Sequence, residues 1–226
     1  MTAIVLQARL DSTRLPGKAM LPIEGRPVIF RVMEALNQIP ADIRILACPD
    51  DSLSSFAPIA EEVGFIIFAG PKDDVLERYC RVIRQFSIDR VIRATGDNPF
   101  VFTDAAMAIN AEGAALDADY AGYSGIPVGA GVESVLASAL LRAGDEADLS
   151  YDREHVCPYL YTHSELFTLH RPLAPLRWKA PEIRLTIDTN EDYEKAKVLF
   201  SALNRLGMER YRGSEIIKQY TELFPK

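Results

Sequence analysis

The chain reads as an α/β fold built on a mostly parallel sheet sandwiched by helices, and three observations predict it. Short apolar runs alternate with longer segments whose apolar residues recur at three and four, the alternation that gives right-handed βαβ crossovers. Hydrophobic residues at 48% and charged residues at 25% of 226 positions suit a globular protein able to bury a large core. The loops leaving the first and fourth apolar runs carry clustered polar and charged residues, as in parallel sheets that bind ligands outside the carboxyl ends of their strands.

Residues 3–6 form the first predicted strand, and Ile29, Val32, Met33 and Leu36 give the first helix its face. Residues 43–48 read as a second strand and 52–63 as a helix with Leu53, Phe56, Ile59, Ala60 and Val63 on one side. A third strand is expected at 64–68. The helix at 73–86 repeats Val75, Leu76, Tyr79, Val82, Ile83 and Phe86, with Asp73 and Asp74 suited to its N-terminus. Residues 90–95 form the fourth strand and 103–115 a helix. From residue 120 the alternation stops. A helix at 138–147, a polar and aromatic stretch at 151–163, a strand at 166–170 and a proline-bearing loop at 172–181 follow. Residues 184–187 read as a returning strand, 191–206 as a helix capped by Thr189 or Asn190, and 214–223 as a last helix. No linker composition or internal repeat divides the chain. It is expected to be one domain: a nucleotide-binding half at 1–118, an irregular region for acceptor and dimer contacts at 119–182, and a closing segment at 183–226.

A net charge of −7 argues against a nucleic-acid partner, which requires a dominant basic face. Cys48, Cys80 and Cys157 are odd in number and far apart, so neither a disulfide framework nor a zinc site is expected, and a cytoplasmic setting suits them. No signal peptide or membrane span is expected either, since no basic n-region leads an apolar segment and no apolar run nears 18 residues.

The loop from Gln7 to Lys18 organises the rest. It holds the cations Arg9, Arg14 and Lys18, the hydroxyls of Ser12 and Thr13, and Gly17. Arginine offers forked donors, lysine a point charge, and glycine lets backbone N–H groups approach an anion, so the loop can grip a polyphosphate. The other reading is a solvated basic turn closed by Pro16-Gly17. A Walker loop would need glycine at position 12, which is Ser, and no GxGxxG is present. Asp97 and Asp188 each follow an apolar run, and each alone could be a cap or turn residue. Together, and with the cationic loop, they match the pair of carboxylates that magnesium takes beside phosphate oxygens. Glu133 lies in a glycine-rich stretch and either binds substrate hydroxyls or is a solvated strand residue. His155, in Arg153-Glu154-His155, either meets an anionic substrate or is a surface or capping residue. No Ser-His-Asp order, GxSxG or Cys-His pairing suggests covalent catalysis.

Five segments in order carry a resemblance: Gln7-Ala8-Arg9 with its loop, Asp74-Val75-Leu76-Glu77-Arg78-Tyr79, Thr95-Gly96-Asp97-Asn98-Pro99, Tyr151-Asp152-Arg153-Glu154-His155-Val156, and Arg184-Leu185-Thr186-Ile187-Asp188-Thr189. Over nearly its whole length the chain resembles the sugar cytidylyltransferases, which include the CMP-Kdo and CMP-sialic acid synthetases, and most of all the spore coat polysaccharide biosynthesis protein F type. The resemblance implies a nucleotidyltransferase fold of the glycosyltransferase-A kind. It implies CTP as substrate, magnesium as cofactor, a sugar-acid acceptor, release of pyrophosphate and a homodimer. Leu6, Gln7, Ala8, Arg9, Ser12, Thr13, Arg14, Gly17 and Lys18, with Arg78, Thr95 and Asp97, would then hold the nucleotide. Arg14, Lys18 and Asp97 would be catalytic, Asp97 and Asp188 would hold metal, and Glu133, Arg153 and His155 would face the acceptor. The chain departs from that branch at Gly131, where aspartate is usual. A glycosyltransferase using a finished nucleotide sugar and a nucleotide-binding relative without catalysis are the alternatives.

Overall fold

The computed structural model describes residues 1–207 and 212–225. Its main sheet has seven strands in the order β5-β4-β1-β6-β8-β7-β9. Between β4 and β6 lies β1 (Thr2–Gln7), which alternates strictly: Ala3 and Val5 pack into one core layer, Ile4 and Leu6 into the other. It pairs in parallel with β4 (Ile43–Pro49) and β6 (Arg90–Thr95), and β5 (Ile66–Gly70) extends the parallel array beyond β4. On the other side β8 (Glu133–Leu136) runs antiparallel to β6 and to β7 (Tyr120–Ala121), while β9 (Leu169–His170) closes the edge parallel to β7. The sheet is therefore mixed. A small hairpin, β2 (Pro22–Ile23) and β3 (Arg26–Pro27), turns through Glu24 and Gly25 at φ 45° and 75°.

Two helical layers cover the sheet. One face carries α1 (Val28–Leu36), α2 (Leu53–Val63), α4 (Thr103–Ala115), α8 (Asn190–Arg205) and α9 (Gly213–Leu223). The other carries α3 (Val75–Phe86), α5 (Ala137–Glu146), α6 (Ser150–His155) and α7 (Pro158–Thr162). The chain leaves β1 for β4 on one flank, whereas β6 lies on the other. This divergence is the switch point at which open α/β sheets form their crevice.

The structure departs from the sequence reading at several segments, and the strands β2, β3, β7 and β8 are not expected from the sequence. Residues 184–187 are not a strand. They run extended, joined to the molecule by Leu185 N–H to Val128 O (2.8 Å) and Ile187 N–H to Asp97 O (2.9 Å). The flank of β6 that a returning strand would take is filled by β8. The third strand starts at Ile66, because Gly64 at φ 79° terminates α2. The predicted strand at 166–170 shortens to its last two residues. The stretch 151–163 folds into the short helices α6 and α7, separated by Val156 at φ 75° and ψ −57°. Cys157 N–H donates to His155 O at 2.9 Å, closing the strained form of γ-turn around a fully buried β-branched residue.

Candidate active site

A cavity of about 480 Å³ opens where β1 and β6 end. Six cationic and three acidic side chains line it, a local excess of positive charge in a chain of net −7. The loop after β1 forms one wall. Gly17, at φ 66°, starts the short 3-10 turn Lys18–Met20 in a left-handed conformation that suits glycine, and the turn carries Lys18 inward.

The Lys18 ammonium donates to Asp97 Oδ2 at 2.7 Å, Asp188 Oδ1 at 2.9 Å and the Ile187 carbonyl at 2.9 Å. Arg14 reaches the same Asp188 Oδ1 at 2.8 Å, and Arg184 pairs with Asp188 Oδ2 and lies 3.5 Å from Asp192. Partial burial pushes the Asp188 carboxyl up. The Lys18 hydrogen bond and the charges of Lys18, Arg14 and Arg184 outweigh it and hold its pKa below the usual aspartate value. The two acids, about ninety positions apart, thus converge on one cation. They do so because Asp97 lies two residues beyond the end of β6 while the extended 184–187 segment is pinned beside it.

The loop is braced from outside. Leu10 N–H donates to Ser52 Oγ at 3.3 Å, Lys72 joins Asp11 (2.7 Å) to Asp51 (2.9 Å), and Arg9 lies 3.8 Å from Glu154. At the far end of the cavity Arg78, buried, donates through Nη1 to Pro71 O at 2.6 Å, and its buried Nε has no partner. Beyond Asp97, Asn98 donates to Thr95 Oγ1 at 2.6 Å and leaves its buried Oδ1 unpartnered. Gly129, at φ 87°, backs this amide. A Cβ there would lie 2.5 Å from Thr186 N and 2.9 Å from Asn98 Oδ1, so the wall accepts only glycine.

The structure brings together most of the residues singled out from sequence. Gln7, Ala8, Arg9, Ser12, Thr13 and Arg14 line the cavity. So do Lys18, Arg78, Thr95, Asp97, His155 and Asp188. Four others do not. Leu6 is fully buried in the core, and Gly17 shapes the turn. Arg153 is tied to Asp74 at 2.6 Å and to the carbonyls of Gly144 and Ala147 at 3.1 and 3.0 Å, which locks α6 against the N-terminus of α3 and keeps it from the cavity. Glu133 lies behind the wall. It pairs with Arg93 and accepts from Tyr120 Oη at 2.8 Å.

Arg93, Asn98, Glu154 and Arg184 line the cavity without having been singled out. Arg93 sits inside an apolar strand pattern, and Arg184 inside a segment read as strand. An arginine within an otherwise apolar run just before Asp97 was the available signal. No group of three or more His, Cys, Asp or Glu able to hold a metal occurs among the described residues.

A family model described as cytidylyltransferase matches residues 3–223. The spore coat polysaccharide biosynthesis protein SpsF of Bacillus subtilis (strain 168) is 34% identical over 203 residues, 87% of this chain and 85% of that protein. A solved cytidylyltransferase from Leptospira borgpetersenii superposes with a TM-score of 0.88 at 25% identity, covering 98% of this chain and 94% of that one. CMP:2-keto-3-deoxy-manno-octonic acid synthetase, solved with CTP, superposes with a TM-score of 0.69 at 16% identity over 89% and 98% of the two chains, a likeness of fold. With a family match spanning nearly the whole length and the cationic loop facing two carboxylates across one cavity, the chain belongs to the cytidylyltransferases and is a nucleotidyltransferase.

Proposed function

We propose that the protein transfers CMP from CTP to a hydroxyl of a sugar acid or related acceptor, with release of pyrophosphate, to make a precursor of a surface polysaccharide. The observation that carries this reading is the convergence of Arg14 and Lys18 with Asp97 and Asp188. The names of the similar proteins support the cytidylyl group and the polysaccharide setting.

The acceptor hydroxyl attacks the α-phosphorus in line, and the bond to the bridging oxygen of the β-phosphate breaks. Arg14 and Lys18 stabilise the departing pyrophosphate as charged donors. Positioning and electrostatics suffice for such chemistry, so no protein nucleophile is required.

The donor set suits a hard divalent cation. Asp97 and Asp188 already share one positive charge, and the Ile187 carbonyl adds a third oxygen to the same point. Asp97 and Asp188 would hold magnesium, with phosphate oxygens and water completing its shell. When bound, the ion neutralises charge on the phosphates. Gly131 lies outside the cavity lining, and a Cβ there would make only an ordinary 3.4 Å contact with Ile126, so the departure from aspartate is a change of chemistry and not of packing.

The test is pyrophosphate release from each of the four nucleoside triphosphates, with magnesium and a panel of sugar acids. Turnover confined to CTP is expected. No turnover of CTP with any acceptor, together with tight binding of a UDP- or GDP-sugar, would replace this reading by glycosyl transfer.

A further inference from the structure

The cavity has three cationic stations: Arg78 of α3, the Lys18 cluster with Asp97 and Asp188, and Arg93 of β6, which pairs with Glu133 of the neighbouring β8. The first two have evident work in gripping a nucleotide. The third is held by three hydrogen bonds of its own and has no assigned task.

Glu133 cannot do that task itself. One of its oxygens pairs with Arg93 and the other accepts from Tyr120 Oη at 2.8 Å. These partners take up the carboxylate before a substrate arrives. Arg93 is held just as firmly. Its Nε donates to Gln7 Oε1 at 3.2 Å and its Nη1 to Glu133, the residue directly opposite on β8. Its Nη2 has no hydrogen bond among the described residues, and its side chain is one of those that line the cavity. Arg93 and Lys18 share no hydrogen-bond partner among the described residues.

A buried ion pair gives little stability over a hydrophobic substitute, so its presence at a cavity wall points to use. A guanidinium oriented on two edges and open on the third offers planar, charged donors that match a carboxylate or phosphate.

We infer that Arg93 selects an acceptor bearing an anionic oxygen group, a carboxylate or a phosphate, and that Glu133, Tyr120 and Gln7 act as positioning residues that hold its guanidinium toward that group. This assignment rests on the proposed cytidylyl transfer and names the residue that reads the acceptor. It moves the acceptor contact from Glu133 to the arginine that Glu133 supports.

The experiment compares parent, Arg93→Lys and the double variant Arg93→Gln/Glu133→Gln, which removes the pair without stranding a buried carboxylate. Each is assayed for pyrophosphate release with CTP, magnesium and either 3-deoxy-manno-octulosonate or its carboxamide. CTP affinity is measured separately by calorimetry. The parent is expected to favour the carboxylate over the carboxamide. The double variant should raise the acceptor KM about 10- to 100-fold and lose that preference, with CTP affinity unchanged. Arg93→Lys should fall between them, since lysine keeps the charge and loses the fork. An unchanged acceptor KM in the double variant, or a fall in CTP affinity as large as the rise in KM, would overturn the assignment. Parent turnover of the carboxamide as efficient as that of the acid would overturn the anion preference while cytidylyl transfer itself stands.

Discussion

Asp188 is one carboxylate facing three cations, with Arg14 and Lys18 on one oxygen and Arg184 on the other. Asp188→Asn removes that charge at nearly constant volume. It should cut turnover strongly and weaken magnesium dependence, and it should lower the melting temperature of the metal-free protein slightly, because three cations lose their shared counter-ion. Asp97→Asn, with a single cation partner, should leave the metal-free melting temperature closer to the parent. Magnesium titrations of turnover alongside thermal melts of both variants check this. Normal magnesium dependence in Asp188→Asn would remove the residue from the metal site. Arg14→Ala should weaken CTP binding by about 1.5 kcal/mol, near tenfold in Kd, as loss of a charged hydrogen bond from an exposed side chain. Equal affinity in calorimetry would reduce the loop to a turn. Asp97, Asp188 and the loop cations are legible in the sequence because each breaks or follows an apolar run. Arg93 leaves only the weak signal of an arginine inside an apolar run, because a buried, paired arginine in a strand keeps the hydrophobic pattern around it intact.

Among the elements, periodicity makes α3 and α8 readable. In α3 the Asp74 side chain accepts from Glu77 N–H at 2.9 Å, and in α8 Thr189 and Asp192 form a capping box, so local signals and tertiary packing agree. The segment 184–187 is misread because its alternation suits a strand, whereas the sheet has no open flank beside β6 to receive it. The turn at Val156 is invisible to pattern reasoning, since valine is disfavoured at positive φ. It places His155 and Glu154 on the cavity wall and Val156 in the core. Backbone strain of this kind costs about 1–3 kcal/mol. Val156→Gly sheds it along with the buried side chain, and Val156→Ala sheds two methyl groups and keeps it. Denaturant unfolding should therefore find the glycine variant no less stable than the alanine variant, the reverse of the usual order. A glycine variant less stable by more than 1 kcal/mol would show that the turn is unstrained.

At the scale of the whole molecule, the two core layers and the parallel centre of the sheet follow from the alternation in residues 1–118. The mixed flank from β7 to β9 does not, because its strands are too short to show a period. The thiols report the integrity of those layers. Cys48 and Cys80 are buried, and desolvation pushes each from 9.0 up to about 11. Raised values in the folded state mean that this contribution to stability is full below pH 9 and is lost as the pH climbs toward 11, where the unfolded chain releases its protons first. Iodoacetamide at pH 8 should leave the native thiols unmodified and alkylate them once the chain is unfolded, read by intact mass. Melting temperatures should decline above pH 9 and recover on return to neutrality. Rapid alkylation of the native protein would mean that the layers open readily.

The bond from Lys18 to both carboxylates has a thermodynamic consequence. At the proposed metal site, a divalent ion arriving alone would find Asp97 and Asp188 already compensated by the Lys18 ammonium and would have to displace it. Triphosphate gives that ammonium an alternative anion, so ion and nucleotide each lower the cost of admitting the other. The coupling is reciprocal: the factor by which CTP strengthens magnesium binding equals the factor by which magnesium strengthens CTP binding. Calorimetry should find magnesium binding weak without nucleotide and much stronger with it. In Lys18→Met the two carboxylates are left without their ammonium, so the ion should bind more tightly by itself, CTP more weakly by itself, and the coupling between them should shrink. Strong nucleotide-free magnesium binding in the parent would show that Lys18 gates nothing.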